Sequence, residues 1–424
     1  MPSATGSVFF VLWGAVLVFS MHGGFAFLEA GSVRRKNVAD SLTRIITDWA
    51  ISTVMYFAIG WPIAYGTWMY ASAAGLVSAN QGFNLVHFFF LLTFAACAPA
   101  IISGGISERV RSIPVMLSTV FIVALIYPFF ESMVWGQLGW LGSATGWLAH
   151  LAGKPFHDYA GSVVVHAMGG WLALPAILII GPRVGRIVNG VKKDFLVHSI
   201  PWLALGSWLL VVGWFGFNVA SAGSLTAISG LVALNSLMAM VGGIIGLIFV
   251  SRGKNEPIGI HNGALAGLVA ICSGSDAVHP ISAFIIGVVA GLIFHFGLKL
   301  ENRIANLDDA LGVWPLHGLN GSWGGIATGI FGLQALGGIG GVNIFAQLVG
   351  VVVNIVVALV GGFLVFKGLD RIFGLRLTPQ EELLGADLAV HGTSAYPEED
   401  GVATENLGVT SRPASADINL QLTE

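Results

Sequence analysis

Asp158-Tyr-Ala-Gly-Ser-Val-Val-Val-His166-Ala-Met-Gly-Gly170 sets a carboxylate at the start of an apolar helix and an imidazole two turns further in, at a depth where a bilayer offers no water. The spacing returns 151 residues later in Asp309-Ala-Leu-Gly-Val-Trp-Pro-Leu-His317. Two histidines at matched depths in two apolar helices point to a shared site. The alternative, two unrelated histidines bonded to backbone, leaves the common spacing unexplained.

The rest of the chain supplies the membrane that this stretch requires. Of 424 residues, 55% are hydrophobic and 10% charged, and apolar runs of about 20 residues recur along the chain. These features exclude a soluble fold. A net charge of −3 without a basic tract gives no footprint for nucleic acid. Cys97 and Cys272 both fall in apolar segments, which suits small buried packing residues rather than a disulfide framework. Residues 8–28 lack a basic leader and end at Glu29, so they read as a first span rather than a signal peptide.

The pattern predicts an all-α polytopic membrane protein with eleven transmembrane helices, at 8–28, 45–65, 83–106, 113–135, 161–181, 200–220, 227–250, 258–274, 280–298, 311–332 and 343–366. With these spans, 18 of the 19 basic residues fall on one side and Lys154 alone on the other. Basic loops stay cytoplasmic, so the N-terminus is expected outside and the C-terminus in the cytoplasm. Spans one to five and six to ten form two groups. An odd number of helices per group makes the second group enter from the opposite face, giving two inverted five-helix repeats plus a peripheral eleventh helix. Eight residues from Asp to His is about 12 Å of helix rise. Taken from opposite faces of a core about 30 Å thick, that brings the two imidazoles together near the midplane. Asp158 and Asp309 would cap their helices.

The domain division expected is 1–370 for the helical body and 371–424 for a cytoplasmic tail, partly disordered. From Leu377 onward the chain has nine acidic residues and one basic residue and no long apolar run. A disordered segment and one docked on its own cytoplasmic loops both fit that composition. The 58 glycines, many in pairs such as Gly242-Gly243 and Gly324-Gly325, suit closely packed membrane helices and an oligomer.

For the other polar residues within or near the spans, structural roles are the simpler reading. Asp48 and Glu131 suit local hydrogen bonding, Asp308 and Asp309 an anchoring role at the cytoplasmic end, and His22, His261 and His295 packing. Phe90 and Phe94 share a helix face, as do Trp214 and Phe217, while Trp135 closes span four at the outer surface. Aromatic rings near an outward-facing carboxylate favour a small cation. The residues alone thus suggest a narrow apolar path for a small protonatable solute, with aromatics selecting a cation outside and the histidines managing a proton inside.

The stretches Met21 to Asn37, Gly104-Gly-Ile-Ser-Glu-Arg109, Asp158 to His166, Gly213-Trp-Phe-Gly-Phe-Asn218 with Ser221, and Asp308 to Gly318 resemble the signature segments of the ammonium transporter (Amt/MEP) family. The resemblance spans all eleven predicted helices and reaches Gly374-Leu-Arg-Leu377. It implies a homotrimer in the cell membrane with one pore per subunit and lipid around it, carrying ammonium or ammonia and the analogue methylammonium. Position by position it assigns Phe90, Phe94, Trp135 and Ser221 to an outer recruitment site, and Phe94 and Phe217 to a stacked gate. Asp158 becomes the acidic support of the vestibule, Trp214 a pore-lining aromatic, and His166 and His317 the central pair. The implied mechanism is deprotonation of ammonium near the gate, passage of ammonia, and proton handling by the histidines, with no cofactor, no metal and no enzymatic step.

Several positions depart from the family pattern. His22 stands where Gln is common and Val163 where Thr is common. Trp140 and Trp147 extend the outer segment, and Thr393 replaces a usual acidic residue in the tail. The last bears on whether a PII-type signalling protein binds the cytoplasmic face. Two other classes fit less well. A sensor would bind ammonium without flux, and a gas channel of the related Rh type is disfavoured by the span count and by Leu28-Glu-Ala-Gly-Ser32.

Overall fold

The computed structural model describes residues 4–252 and 257–397. Among them, the only strands are the two-residue pair Ile187–Val188 and Val191–Lys192, joined antiparallel as a small hairpin. Everything else of regular structure is helical. Eight helices are long and apolar enough to cross a membrane: Thr5–Ser32, Ala73–Ile106, Ser112–Val134, Ser162–Ile180, Ile200–Ala220, Ala227–Val250, Pro280–Arg303 and Ile344–Phe373.

The other three predicted spans are interrupted or short. Val38–Met55 carries Asp40, Arg44 and Asp48, then passes through a widened turn at Tyr56–Gly60 into Trp61–Tyr65, whose second residue is Pro62. Pro257–Ile271 has 15 residues, about 22 Å of rise. Trp314–Leu319 is a widened turn containing Pro315 that leads into Asn320–Phe331. Polar residues and prolines lower the apolar continuity of these segments without ending the helical path.

Small residues set how closely the helices pack. The helix Ala4–Ser32 lies against Ile200–Ala220 along its length, with Gly14, Gly24 and Gly31 facing Ala220, Leu210 and Leu203. The closest approach that matters for function joins Gly170 to Gly318. A Cβ on Gly170 would stand 2.1 Å from the Gly318 nitrogen. These glycines lie four residues after His166 and one after His317, so the contact sets the distance between the two imidazoles. Gly170→Ala is expected to force the helices apart, lowering thermal stability by about 2–3 kcal/mol or more and abolishing transport. A variant with wild-type melting and flux would show that the approach tolerates a methyl group.

At the face rich in Lys and Arg, a buried ion network ties the helix ends together. Arg183 donates to both Asp308 oxygens at 2.8 and 2.9 Å and to Glu108 at 2.9 Å. Arg186 reaches Asp308 at 3.1 Å, and Arg34 pairs with Glu108. Burial alone would raise the Asp308 carboxyl, but the Arg183 guanidinium holds it well below the usual carboxylate range. Asp308 and Asp309 thus anchor this end of the bundle, as the sequence suggested.

The expected boundary at residue 370 falls inside the helix Ile344–Phe373. After it, Pro379–Leu384 and Ala386–His391 form two short helices packed on the basic face. Glu382 accepts from Arg376 at 2.9 Å and from the Val184 amide. Asp387 accepts from the amides of Ala39 and Asp40 at 3.1 and 2.9 Å, capping a helix almost 350 positions earlier in the chain. Docking therefore describes the tail to residue 397, and 398–424 lie outside the described residues.

His391 Nε2 donates to Asp40 Oδ1 at 3.1 Å. That hydrogen bond and the nearby carboxylates of Asp40 and Asp387 hold the imidazole above its ordinary value, against burial and the Arg44 charge. A raised folded-state value means the contact contributes fully below the unfolded value near 6.5 and is lost as pH rises through the higher one. After allowance for the base catalysis common to all amides, protection from exchange at residues 386–391 is expected to fall as pH rises above about 6.5, and in His391→Gln that fall in protection should vanish.

Candidate functional site

The Asp158 and Asp309 elbows are built alike. Gly161 and Gly312 hold left-handed backbone, φ 97° and 72°, which lets each chain turn sharply back under its own aspartate. Asp158 accepts from the amides of Gly161, Val163 and Val164 at 3.0, 2.9 and 2.8 Å. Asp309 accepts from Gly312 and Trp314 at 2.9 and 2.7 Å. Each carboxylate satisfies donors that the following helix start leaves free. Both elbows then run into a widened turn, Ser162–Ala167 and Trp314–Leu319, and each turn carries its histidine. Such turns often occur at functional sites because they re-aim side chains.

The two imidazoles meet. Nδ1 of His166 lies 3.3 Å from Nδ1 of His317, with ring centroids 5.3 Å apart and planes 24° from parallel. In the neutral pair one Nδ1 carries the hydrogen and the other accepts it. His166 is fully buried, and its Nε2 has no hydrogen-bond partner among the described residues. The Trp214 ring stacks on it at 5.0 Å and Phe217 stands at 5.4 Å. Trp214 is held in turn by its Nε1, which donates to Cys272 Sγ at 3.0 Å.

Above His166 the path is closed by two phenyl rings. Phe94 and Phe217 stack at 3.9 Å and 6°. Beyond them, on the face away from the basic residues, lies a depression of about 170 Å³ lined by Phe90, Phe94, Trp135 and Ser221. Phe90 packs on Phe94 at 4.7 Å, and Trp135 meets Phe94 edge-on at 6.1 Å. The Trp135 indole donates to the Asp158 carbonyl at 2.7 Å, so one elbow orients both the Trp135 ring and the His166 helix. Ser221 gives its hydrogen to Phe217 O at 2.9 Å and keeps its oxygen lone pairs as acceptors. On the basic side, His317 borders a second cavity of about 380 Å³ together with Phe25, Leu316 and Glu301.

The nine residues singled out from the sequence, Phe90, Phe94, Trp135, Asp158, His166, Trp214, Phe217, Ser221 and His317, are therefore joined in one series of contacts. His22 is packed as expected, buried against Trp49 with Nε2 3.3 Å from Thr93 O. Glu131 accepts from Tyr56 and Tyr65, and Asp48 from Thr119, also as expected. Cys97 and Cys272 are free and buried. Sequence reasoning missed Tyr65, His87, Leu91 and Tyr159, which complete the outer depression. His87 was detectable, lying three residues before Phe90 on the same helix face.

Residues 8–396 match the family described as Ammonium Transporter Family. The chain belongs to the ammonium transporter family. Among curated relatives, Ammonium transporter Amt2 of Methanocaldococcus jannaschii is 43% identical over 401 residues, covering 92% of this chain and 91% of the relative. A solved structure described as Sensor Amt Protein superimposes with a TM-score of 0.81 at 32% identity, covering 91% of this chain and 98% of that one. The crystal structure of Candida albicans Mep2 shares the fold, with a TM-score of 0.76 at 23% identity and coverage of 89% and 87%. Membership makes this chain a multi-pass membrane transporter of ammonium rather than an enzyme.

Proposed function

We propose that the chain recruits ammonium in the depression between Phe90, Trp135 and Ser221, strips a proton from it at the Phe94–Phe217 stack, and passes ammonia along the His166–His317 pair, which handles the proton. The supporting observation is the order of parts: stacked phenyls immediately beside a buried, hydrogen-bonded imidazole pair. Rings without a dipole cannot replace an ion's hydration, and a charge at the bilayer centre costs about 2.5 kcal/mol or more. A neutral amine avoids that cost. Trp135 and Phe90 attract the cation through their faces, and Ser221 accepts one of its N–H bonds.

In this reading Val38–Tyr65, Pro257–Ile271 and Trp314–Phe331 complete eleven crossings in two inverted five-helix groups, with Ile344–Phe373 as the peripheral helix. The N-terminus lies outside the cell membrane and the basic face in the cytoplasm. Large apolar side chains exposed on the helix bundle, such as Trp13, Phe249 and Leu364, suit contact with lipid or with two further copies in a trimer. Residues 371–424 form a cytoplasmic segment whose docked part offers a surface to a PII-type regulator. A sensor function is the second reading, favoured by the docked tail and by the description of the structural neighbour.

Uptake of labelled methylammonium and ammonium-evoked current, measured together in proteoliposomes across a pH series, test the proposal. Both are expected, with current that depends on pH. Ammonium binding without either flux would overturn transport in favour of sensing.

A further inference from the structure

We propose that His87 and Tyr65 form an outer cation stop one helical turn above Phe90, an inference that rests on the recruitment reading above. His87, Phe90 and Phe94 follow one another at intervals of three and four residues, so they descend one face of the same helix. His87 borders the same depression as Trp135 and Ser221. Its ring neighbours are all aromatic: Phe83 stacked at 5.6 Å, Trp61 perpendicular at 5.9 Å and Tyr65 at 6.0 Å. Among the described residues neither ring nitrogen forms a hydrogen bond or an ion pair. A neutral imidazole so placed keeps one nitrogen lone pair free to accept.

Tyr65 supplies an aromatic ring. Its hydroxyl donates to Glu131 Oε1 at 3.0 Å, and Tyr56 donates to both oxygens of that carboxylate at 2.9 Å. Glu131 is fully buried and has no cationic partner among its hydrogen bonds. A phenol that gives its hydrogen to a carboxyl oxygen has a more electron-rich ring, and Tyr65, backed by Trp61 at 4.4 Å, lines the depression. The buried carboxyl therefore lies one phenol behind the wall and fixes the Tyr65 hydroxyl. Ammonium suits such a stop better than an alkali cation. Its N–H groups can donate to the His87 nitrogen and the Ser221 oxygen, whereas a hard cation seeks several oxygen ligands at once.

Labelled methylammonium uptake by His87→Leu, His87→Gln and wild type provides the test, with elution from size exclusion as the check on folding. His87→Leu is expected to raise the half-saturating concentration about tenfold, the scale of a hydrogen bond to a charged group. Flux at saturation should change much less. His87→Gln, which keeps an acceptor, should restore most of the affinity. Half-saturation within about twofold of wild type in a well-folded His87→Leu would overturn the stop, as would loss of maximal flux without loss of affinity. An inactive wild type would overturn the transport proposal instead.

Discussion

In proteoliposomes, His166→Ala and His317→Ala should each lose the pH-dependent ammonium current, by a factor of about 10² or more if the pair acts as a positioned proton donor and acceptor. The geometry explains why either loss suffices. The Nδ1 atoms are 3.3 Å apart, so a proton accepted by one imidazole has its only nearby ring partner in the other. Truncating either ring leaves the other nitrogen buried without that partner, and removing His166 opens space beside Trp214 and Phe217. Such a gap can hold water, and flux that persists in the variant would then be re-routed as current carried by other cations. Potassium-evoked current distinguishes re-routing from loss. Removing a buried ring also costs about 3 kcal/mol of packing, so melting of the solubilised protein must be read beside the current. Ammonium current with wild-type selectivity and pH dependence in both single variants would remove the proton-relay role.

What could be read in advance depended on which interactions leave a periodic trace. Eight spans were legible because a bilayer demands about 20 apolar residues in a row. The Asp–His spacing was legible because it occurs twice. From it followed both the helix caps and the meeting of the imidazoles, since helix rise converts spacing into depth. The widened turns at Ser162–Ala167 and Trp314–Leu319 leave no such trace, although they aim both histidines. The cap that Asp387 provides for the helix beginning at Val38 joins segments distant in sequence, so no local pattern announces it. His87 left only a partial trace, its spacing of three residues from Phe90. Its helix is apolar around most of its circumference, which leaves periodicity unable to say which face meets the depression. The resemblance to the family supplied the role of Ser221, a residue type too common to stand out.

Asp158→Ala should be among the most damaging single changes in the chain, lowering the stability of the folded protein by about 3–5 kcal/mol and abolishing flux. Three buried amides, those of Gly161, Val163 and Val164, lose their acceptor at once, at a depth where water cannot replace it. Hydrogen bonds to a charged acceptor contribute more than neutral ones, and leaving a buried donor unpaired costs about 1–3 kcal/mol each. The elbow also carries the carbonyl that accepts from Trp135, so a displaced Asp158 shifts the outer aromatic wall as well as the His166 helix. Asp158→Asn separates capping from charge. Its single carbonyl oxygen can serve some of the three amides, while its amide group faces a donor with another donor, so stability should be intermediate. Asp309 serves Gly312 and Trp314 in the corresponding elbow, with the Val313 amide also on its carboxyl, so Asp309→Ala should cost about as much as Asp158→Ala and more than Asp158→Asn. Melting curves of the three variants in detergent test that order. If Asp158→Ala melts within a degree or two of wild type, the carboxylate does not hold the elbow, and its contribution would have to be sought in attraction of the cation alone.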